Sequence, residues 1–375
     1  MITRREVFER LILASAAAAS TGCATSHVSA ARPPVAPHLR FPPVYVSPDR
    51  VTRTTVGLRP FRPSGFVLRA EKLDSKLLVH NYGHGGGGMT LSWGTSDLAT
   101  QIAVDSGARE YAVLGAGGVG LATARLLQRR GMQVTMYAKA LPPDTTSNKS
   151  GAQWWPVSVF DREQLTPEFR ELFLRAARLS YQHYQTLIGE EYGVRWVRNF
   201  LLTDHPPTEG LLMGMESPMR DLYPELRDLK PGEHPFASRY VRQFDTMLIE
   251  PPKYLNAMLR DVQIAGGRVV VRELKSKQEL ATLPEPVIIN CTGLGSRELV
   301  GDENLIPIKG QLSILLPQPE IDYTVLEDHY YMFPRRDGIL LGGTFERNQW
   351  DLNPDREAEK RVIEAHQRIF APLLT

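Results

Sequence analysis

Gly115, Gly117 and Gly120 stand in VLGAGGVG, a G-x-G-x-x-G spacing between a strand-like apolar run and a helix-like one. Glycines so placed let a tight turn bring backbone N–H groups against a pyrophosphate at a helix N-terminus, which is dinucleotide chemistry. The acid that grips ribose in the nicotinamide version of the motif is missing, because the next strand ends Tyr137-Ala138-Lys139-Ala140. A second glycine run, HNYGHGGGGMTLSWG over 80–94, precedes the first. Glycine serves where backbone must touch a ligand or take a positive φ. The apolar spacing after this run predicts a helix from about Met89, with free N–H groups at its start. His80 and His84 have the spacing of two metal ligands on one helix face, but Gly83 and Gly85 to Gly88 argue against a helix there, so no metal is expected. Cys291, within apolar VIINCTG, reads as a small core residue and not as a nucleophile.

Those residues need elements behind them. From Glu110 to Lys139 the pattern is strand (EYAVLGAG), helix (GLATARLLQRRG) and strand (QVTMYAK), the βαβ order of a dinucleotide-binding unit. Ahead of it a strand is predicted at 53–58, then RPFRP, then strand-like GFVLRA and LLVHNY, the last running into the glycines. Behind it come helices and aromatic residues from Leu165 to about Leu202. Strands follow at GRVVVREL, PVIINCTGLG, GQLSILL, DHYYMFPR and GILLGGTF, and PDREAEKRVIEAHQRIF closes the pattern as an amphipathic helix.

A chain of 375 residues has room for two cores. Lys and Arg number 44 against 42 Asp and Glu, so no one-signed field recommends nucleic acid as a partner, and a small-molecule enzyme or binding protein is favoured. The first residues, MITRREVFERLILASAAAASTGCATS, place Arg4-Arg5 before an apolar stretch too short to span a membrane. They resemble a twin-arginine export signal, and Cys23 after Thr21-Gly22 resembles a lipid attachment site, although Ser20 departs from the usual Leu, Val or Ile. Residues 1–30 are therefore read as an export signal and proline-crowded 31–50 as a tether, giving a periplasmic or lipid-anchored protein whose membrane contact is through Cys23. A cytoplasmic enzyme with an amphipathic N-terminal helix is the alternative.

Five segments together resemble one family, the FAD-dependent D-amino acid oxidases. They are VLGAGGVGLATARLL, LPPDTTSNKSGAQWWP at 141–156, VIINCTGLGSRELVGDENLIPIKGQ at 287–311, YYMFPRRDGILLGGTF, and GLRPFRP with HNYGHGGGGMTLSWG. The resemblance implies an α/β fold for 51–375, with a Rossmann-like FAD domain interleaved with a mixed-sheet α+β substrate domain. The FAD domain would be mainly 80–160 and 261–310 with the terminal helix 354–370, and the substrate domain mainly 51–79, 161–260 and 311–345. FAD would be held by Gly115, Ala116, Gly117, Gly118, Val119, Gly120, Lys139, Thr145, Thr146, Ala152, Gln153 and Thr292. Gly85, Gly86, Gly87, Gly88, Met89 and Thr90 would meet the flavin where the helix aims its N-terminus at the pyrimidine ring. Lys139 stands where several members have an arginine, and Ser150-Gly151-Ala152 departs from the family's frequent Ala-Ala-Gly.

In the same family Arg59 occupies the position that grips the substrate α-carboxylate with a two-pronged guanidinium, and Tyr331 the one that hydrogen-bonds it. Backbone at Gly86 would accept from the amino group, and Trp155 and Phe333 would line the side-chain pocket. The implied reaction is oxidative deamination of a D-amino acid to a 2-oxo acid and ammonia by hydride transfer to flavin, with molecular oxygen as acceptor and hydrogen peroxide as product. Alternatives are a related amine oxidase or dehydrogenase acting on glycine, sarcosine or an acidic D-amino acid, and an exported flavin-binding protein without turnover. The family closes its sequence with GLRPxRP and HNYGHGG, whereas this chain opens with them. It therefore resembles a circular permutant, newly joined through SGAR at 106–109 and newly ended after the helix near Phe370 and before the tether.

Overall fold

A computed structural model describes residues 41–206 and 217–374. The expected export signal, Cys23 and the first half of the tether lie outside the described residues. Among those described, two sheets carry an α/β fold. In the smaller, β3 (Lys76–Tyr82), β10 (Val287–Asn290), β4 (Glu110–Leu114), β5 (Gln133–Ala138) and β9 (Arg268–Val271) run parallel in that order. β2 (Val67–Leu73) pairs antiparallel on the outer edge of β3. The apolar run of β10 is buried along its whole length, as a parallel strand covered on both faces must be. Helix α1 (Gly88–Val104) runs from the glycine run, and α2 (Gly118–Arg129) follows β4 and completes the βαβ unit that VLGAGGVG predicts. Gly94 lets α3 (Pro167–Gln185) lie close on α1, since a Cβ there would fall 1.7 Å from the Ala176 carbonyl oxygen.

The larger sheet is mixed and nine-stranded. β1 (Val51–Phe61) pairs antiparallel with β11 (Ile306–Leu315), which is followed by β14 (Gly338–Gly342), β13 (Tyr330–Arg335) and β12 (Tyr323–Glu327). Beyond these lie β6 (Val194–Thr203), parallel to β12, then β8 (Tyr240–Ile249) and β7 (Arg227–Leu229), while the short β15 (Glu346–Arg347) also pairs with β11. The register sets Arg59 opposite Ile308 and Tyr331 opposite Gly342.

The boundaries differ from those expected of the sequence in several places. Residues 67–79, expected in the substrate domain, form β2 and the start of β3 in the parallel sheet. Helix α4 (Pro251–Ile264) straddles the expected boundary at 260/261, and its first part, expected in the substrate domain, is tied to α1 on the dinucleotide side, where Trp93 Nε1 donates to the Tyr254 hydroxyl at 2.6 Å. The terminal helix α5 (Arg356–Phe370), expected with the FAD domain, instead packs Val362, Ile369 and Phe370 among Met332, Ile339 and Leu341 of the larger sheet. An amphipathic stripe says that a helix covers a sheet, not which one. The second half of the expected tether is packed: Val44 is fully buried and the Phe41 ring lies 5.1 Å from that of Phe200. Proline-rich chain without periodicity carries no local sign of where it docks.

Candidate functional site

A cavity of about 630 Å³ lies where the C-terminal ends of β3, β4 and β5 and the residues after β10 face β1, β11 and β13. Crevices beyond the carboxyl ends of parallel strands are where α/β sheets bind ligands. At one end the wall is backbone. Gly115 has φ +98°, and a Cβ there would lie 2.6 Å from the Cys291 carbonyl oxygen, so only glycine makes this turn. Gly115, Ala116, Gly117, Gly118 and Val119 line the cavity at the start of α2. Ser147 Oγ accepts from the Gly118 N–H at 3.0 Å, a hydroxyl beside the turn that the motif does not announce. Gly120, expected to touch the cofactor, does not line the cavity; its place is against the turn, where a Cβ would meet the Gly115 carbonyl oxygen at 1.9 Å.

The residue that follows β5 is a cation where an acid would grip ribose. Lys139 lines the cavity lip and pairs with Glu273, which follows β9, at 3.6 Å. β9 lies beside β5, and no local spacing connects the two residues. Cys291 is buried beside Thr123, and burial pushes its thiol up to about 12, which leaves it inert as a nucleophile.

The middle of the cavity is walled by Thr145, Thr146, Ala152, Gln153 and Thr292. Gln153 donates to Asn199, and Thr324 also donates to Asn199, so β6 and β12 fix the amide from behind. Gln153 Oε1 is buried with no hydrogen-bond partner among the described residues. Thr292 Oγ1 donates to Asn290 Oδ1 at 2.8 Å. From the other side come Gly85, Gly86 and the first turn of α1, with Gly88, Met89 and Thr90 lining the cavity. Thr90 Oγ1 bonds the carbonyl oxygens of Gln153 at 3.0 Å and Trp155 at 3.3 Å, which locks that helix end to the 152–155 strip. Gly86 spends its N–H on the Ser158 carbonyl at 2.8 Å, so only its own carbonyl could meet an amino group. Gly87, expected among the cofactor contacts, is turned away, and a Cβ there would strike Val159 Cγ2 at 2.6 Å.

At the far end the wall is side chains. Arg59 on β1 has no carboxylate partner among the described residues; Nη1 donates to the Thr344 carbonyl at 3.1 Å, and the guanidinium lies over Gly310, 2.6 Å from where a Cβ would be. A guanidinium held by a carbonyl and left with free N–H groups in a cavity is made for an incoming anion. Tyr331 stacks on Phe333 at 4.9 Å between ring centres, and both rings press on Gly151. The Tyr331 ring also fills the space over Gly342, where a Cβ would lie 2.1 Å away. Trp155 packs edge-on against Phe244, and its Nε1 is buried without a partner among the described residues. Phe345 and Thr344, just past β14, complete this end. His84 and His80 face different partners: His84 Nε2 meets Thr95 Oγ1 at 2.9 Å, and His80 lies between Glu71 and Asn290. Burial drives the His84 imidazole down to about 3, so it is neutral and its outer nitrogen is taken.

The volume, the glycine turn at a helix start, the unpartnered amide oxygen of Gln153 and the helix end at Gly88 together fit an extended dinucleotide. Comparison with known proteins agrees. Residues 110–375 match the family model described as FAD dependent oxidoreductase. The chain is 30% identical over 262 residues to a D-amino-acid oxidase of Streptomyces coelicolor, covering 68% of this chain and 75% of that protein. It is 28% identical over 263 residues to a D-aspartate oxidase of Homo sapiens, covering 67% and 73%. Among solved structures, an iminodiacetate oxidase from Chelativorans sp. BNC1 and a glycine oxidase from Bacillus cereus share the fold, each with a TM-score of 0.52, at 19% and 13% identity. The alignments cover 71% of this chain in both cases, with 80% of the first structure and 79% of the second.

Proposed function

The chain belongs to the DAO family of FAD-dependent oxidoreductases, and from that premise we propose that it oxidises D-amino acids to 2-oxo acids, releasing ammonia and passing the electrons to molecular oxygen to give hydrogen peroxide. The observation that carries the reading is Arg59, an arginine with no acidic partner among the described residues, backed by Thr344 and facing the same cavity as Tyr331 and the glycine turn. In this reading Arg59 and Tyr331 hold the substrate carboxylate, and the Gly86 carbonyl receives its ammonium group. Phe333 and Trp155 keep water from the side chain. Gly115 to Val119, Thr145, Thr146, Ala152, Gln153, Thr292, Lys139 and the first turn of α1 hold FAD, which when bound supplies the hydride acceptor. Three fixed points on the substrate leave one direction for its Cα hydrogen, and so one enantiomer reacts. No side chain is needed as base, in keeping with a His84 that is neutral and already bonded. A panel of D- and L-amino acids with oxo-acid and peroxide readout tests this: turnover of D-alanine without L-alanine is expected, and the reverse preference overturns it.

The chain's order is read as a circular permutation of the family order. The two ends of the described chain adjoin, with Gln367 Nε2 donating to the Val46 carbonyl at 3.1 Å, and residues 105–109 join α1 to β4 through exposed backbone, where no atom lies within 4 Å of the Cβ position of Gly107. Moving residues 51–105 behind Thr375 through a short flexible linker should yield a folded, FAD-bound protein; apo or insoluble product with every linker length contradicts the reading. Export by the twin-arginine route remains the reading of residues 1–30, and cell fractionation that found the intact chain in the cytoplasm would defeat it.

A further inference from the structure

Buried hydroxyls outside the cavity converge on one turn of backbone at its edge. Met89 and Thr90 belong to the first turn of α1 and line the cavity. The Met89 carbonyl oxygen accepts from the Tyr184 hydroxyl at 2.7 Å and from Ser92 Oγ at 2.8 Å. Ser180, on α3 with Tyr184, donates to the next carbonyl, that of Thr90. Behind Tyr184, Trp93 Nε1 donates to the Tyr254 hydroxyl at 2.6 Å, and the Tyr254 and Tyr184 hydroxyls interact in turn. Ser92, Trp93, Ser180, Tyr184 and Tyr254 are all 0% exposed. Burial holds Tyr184 up at about 12, so it remains a hydroxyl and a donor.

A carbonyl within a helix is satisfied by one N–H a turn later, yet Met89 receives two further donors. Donation to a carbonyl pulls charge through its peptide unit and strengthens the N–H at the other side. For the Met89 carbonyl that N–H belongs to Thr90, which lies in the first turn, where helix N–H groups lack partners within the helix and carry its positive end. For the Thr90 carbonyl it belongs to Leu91, the first residue whose N–H is taken within the helix, so Ser180 acts by holding the turn in place. We propose that Tyr184, with Ser92 and Ser180, is a positioning group that fixes and polarises the first turn of α1 and thereby raises the reduction potential of the bound flavin. Donors at the pyrimidine end of a flavin favour its reduced form, which carries more negative charge there. The inference rests on the reading that the flavin ring meets the start of α1.

Tyr184→Phe keeps the ring and removes the donor. The variant should bind FAD in the parent's ratio, and its reduction equilibrium against a reference dye, driven chemically without any amino acid, should shift threefold to tenfold toward the oxidised form, about 15 to 30 mV for a two-electron couple. With substrate, kcat should fall while KM holds. Ser180→Ala should shift the same equilibrium in the same direction by less, and Ser180→Thr, which restores a hydroxyl, should return it. This pair carries the test if Tyr184→Phe does not fold. A flavin potential equal to the parent's in the FAD-bound variants overturns the proposal, as does a shift that Ser180→Thr fails to reverse. Since no amino acid enters the titration, an inactive parent would count against the D-amino acid reading and leave this result standing on its own.

Discussion

The two ends of the cavity are built from different material. At the dinucleotide end the wall is main chain: Gly115 turning at φ +98°, Gly117 and Gly118 opening α2, all supplied by neighbours in one short stretch. At the far end, which the proposed function gives to the substrate, it is side chains from opposite ends of the chain, Arg59 on β1 beside Thr344 and Phe345, with Tyr331 and Phe333 on β13. A wall of backbone tolerates no Cβ and leaves a spacing in the sequence. A wall of side chains depends on sheet register, which brings β1, β11, β14 and β13 side by side. The two walls should therefore fail in different ways.

The largest effect should come from the backbone wall. Gly115→Val would place its Cβ against the Cys291 carbonyl at a φ that valine does not adopt, so the purified protein should lack bound FAD and turnover should fall to background. Absorbance of the purified variant checks this. Arg59→Leu should leave FAD in place and lower kcat/KM for D-alanine by roughly 30-fold to several thousand-fold, the range for removing a half-buried cation that would pair with the substrate carboxylate, at about 2 to 5 kcal/mol. Arg59→Lys should recover part of that, because a point charge cannot reproduce the fork. If Arg59→Leu instead loses its FAD, the division of labour between the walls is wrong. Tyr331→Phe removes one neutral donor and should cost about tenfold in kcat/KM with stacking on Phe333 kept.

The smallest effect is on stability and distinguishes neither wall. Burial depresses the folded-state titration of His84 to about 3 and of His366 to about 4, below the ordinary 6.5. The unfolded chain then binds more protons than the native one, so the contribution is fully present above about pH 6.5 and is lost as pH falls toward 4 to 3. The unfolding free energy from urea titration should drop between pH 7 and pH 5 by roughly 1 kcal/mol per histidine per pH unit below pH 6, and His84→Gln should flatten that slope.

Local chemistry explains what could be read from residues alone. VLGAGGVG, its flanking strand and helix, and the helix after the second glycine run are local patterns, and all stand where the spacing puts them. Arg59 and Tyr331 became legible only through GLRPFRP and YYMFP, since an arginine or tyrosine in a strand carries no sign of what it faces. Glu273 beside Lys139, and Ser147 beside Gly118, depend on segments meeting in three dimensions. The strand VRWVRNFLLT was hidden behind an aromatic helical stretch, and with it went Asn199, the residue that fixes Gln153. Gly87 and Gly120 show the limit from the other side: spacing marks a glycine as required without saying whether a ligand or a neighbouring chain requires it.

The most direct test is anaerobic mixing of the FAD-bound parent and FAD-bound Arg59→Leu with D-alanine and, separately, L-alanine, following the loss of the oxidised flavin absorbance. Rapid bleaching of the parent by D-alanine alone, slowed at least about 30-fold in Arg59→Leu at limiting substrate, is the expected result. Bleaching by L-alanine in preference, or equal rates in parent and variant, would contradict the assignment of this wall to the carboxylate of a D-amino acid.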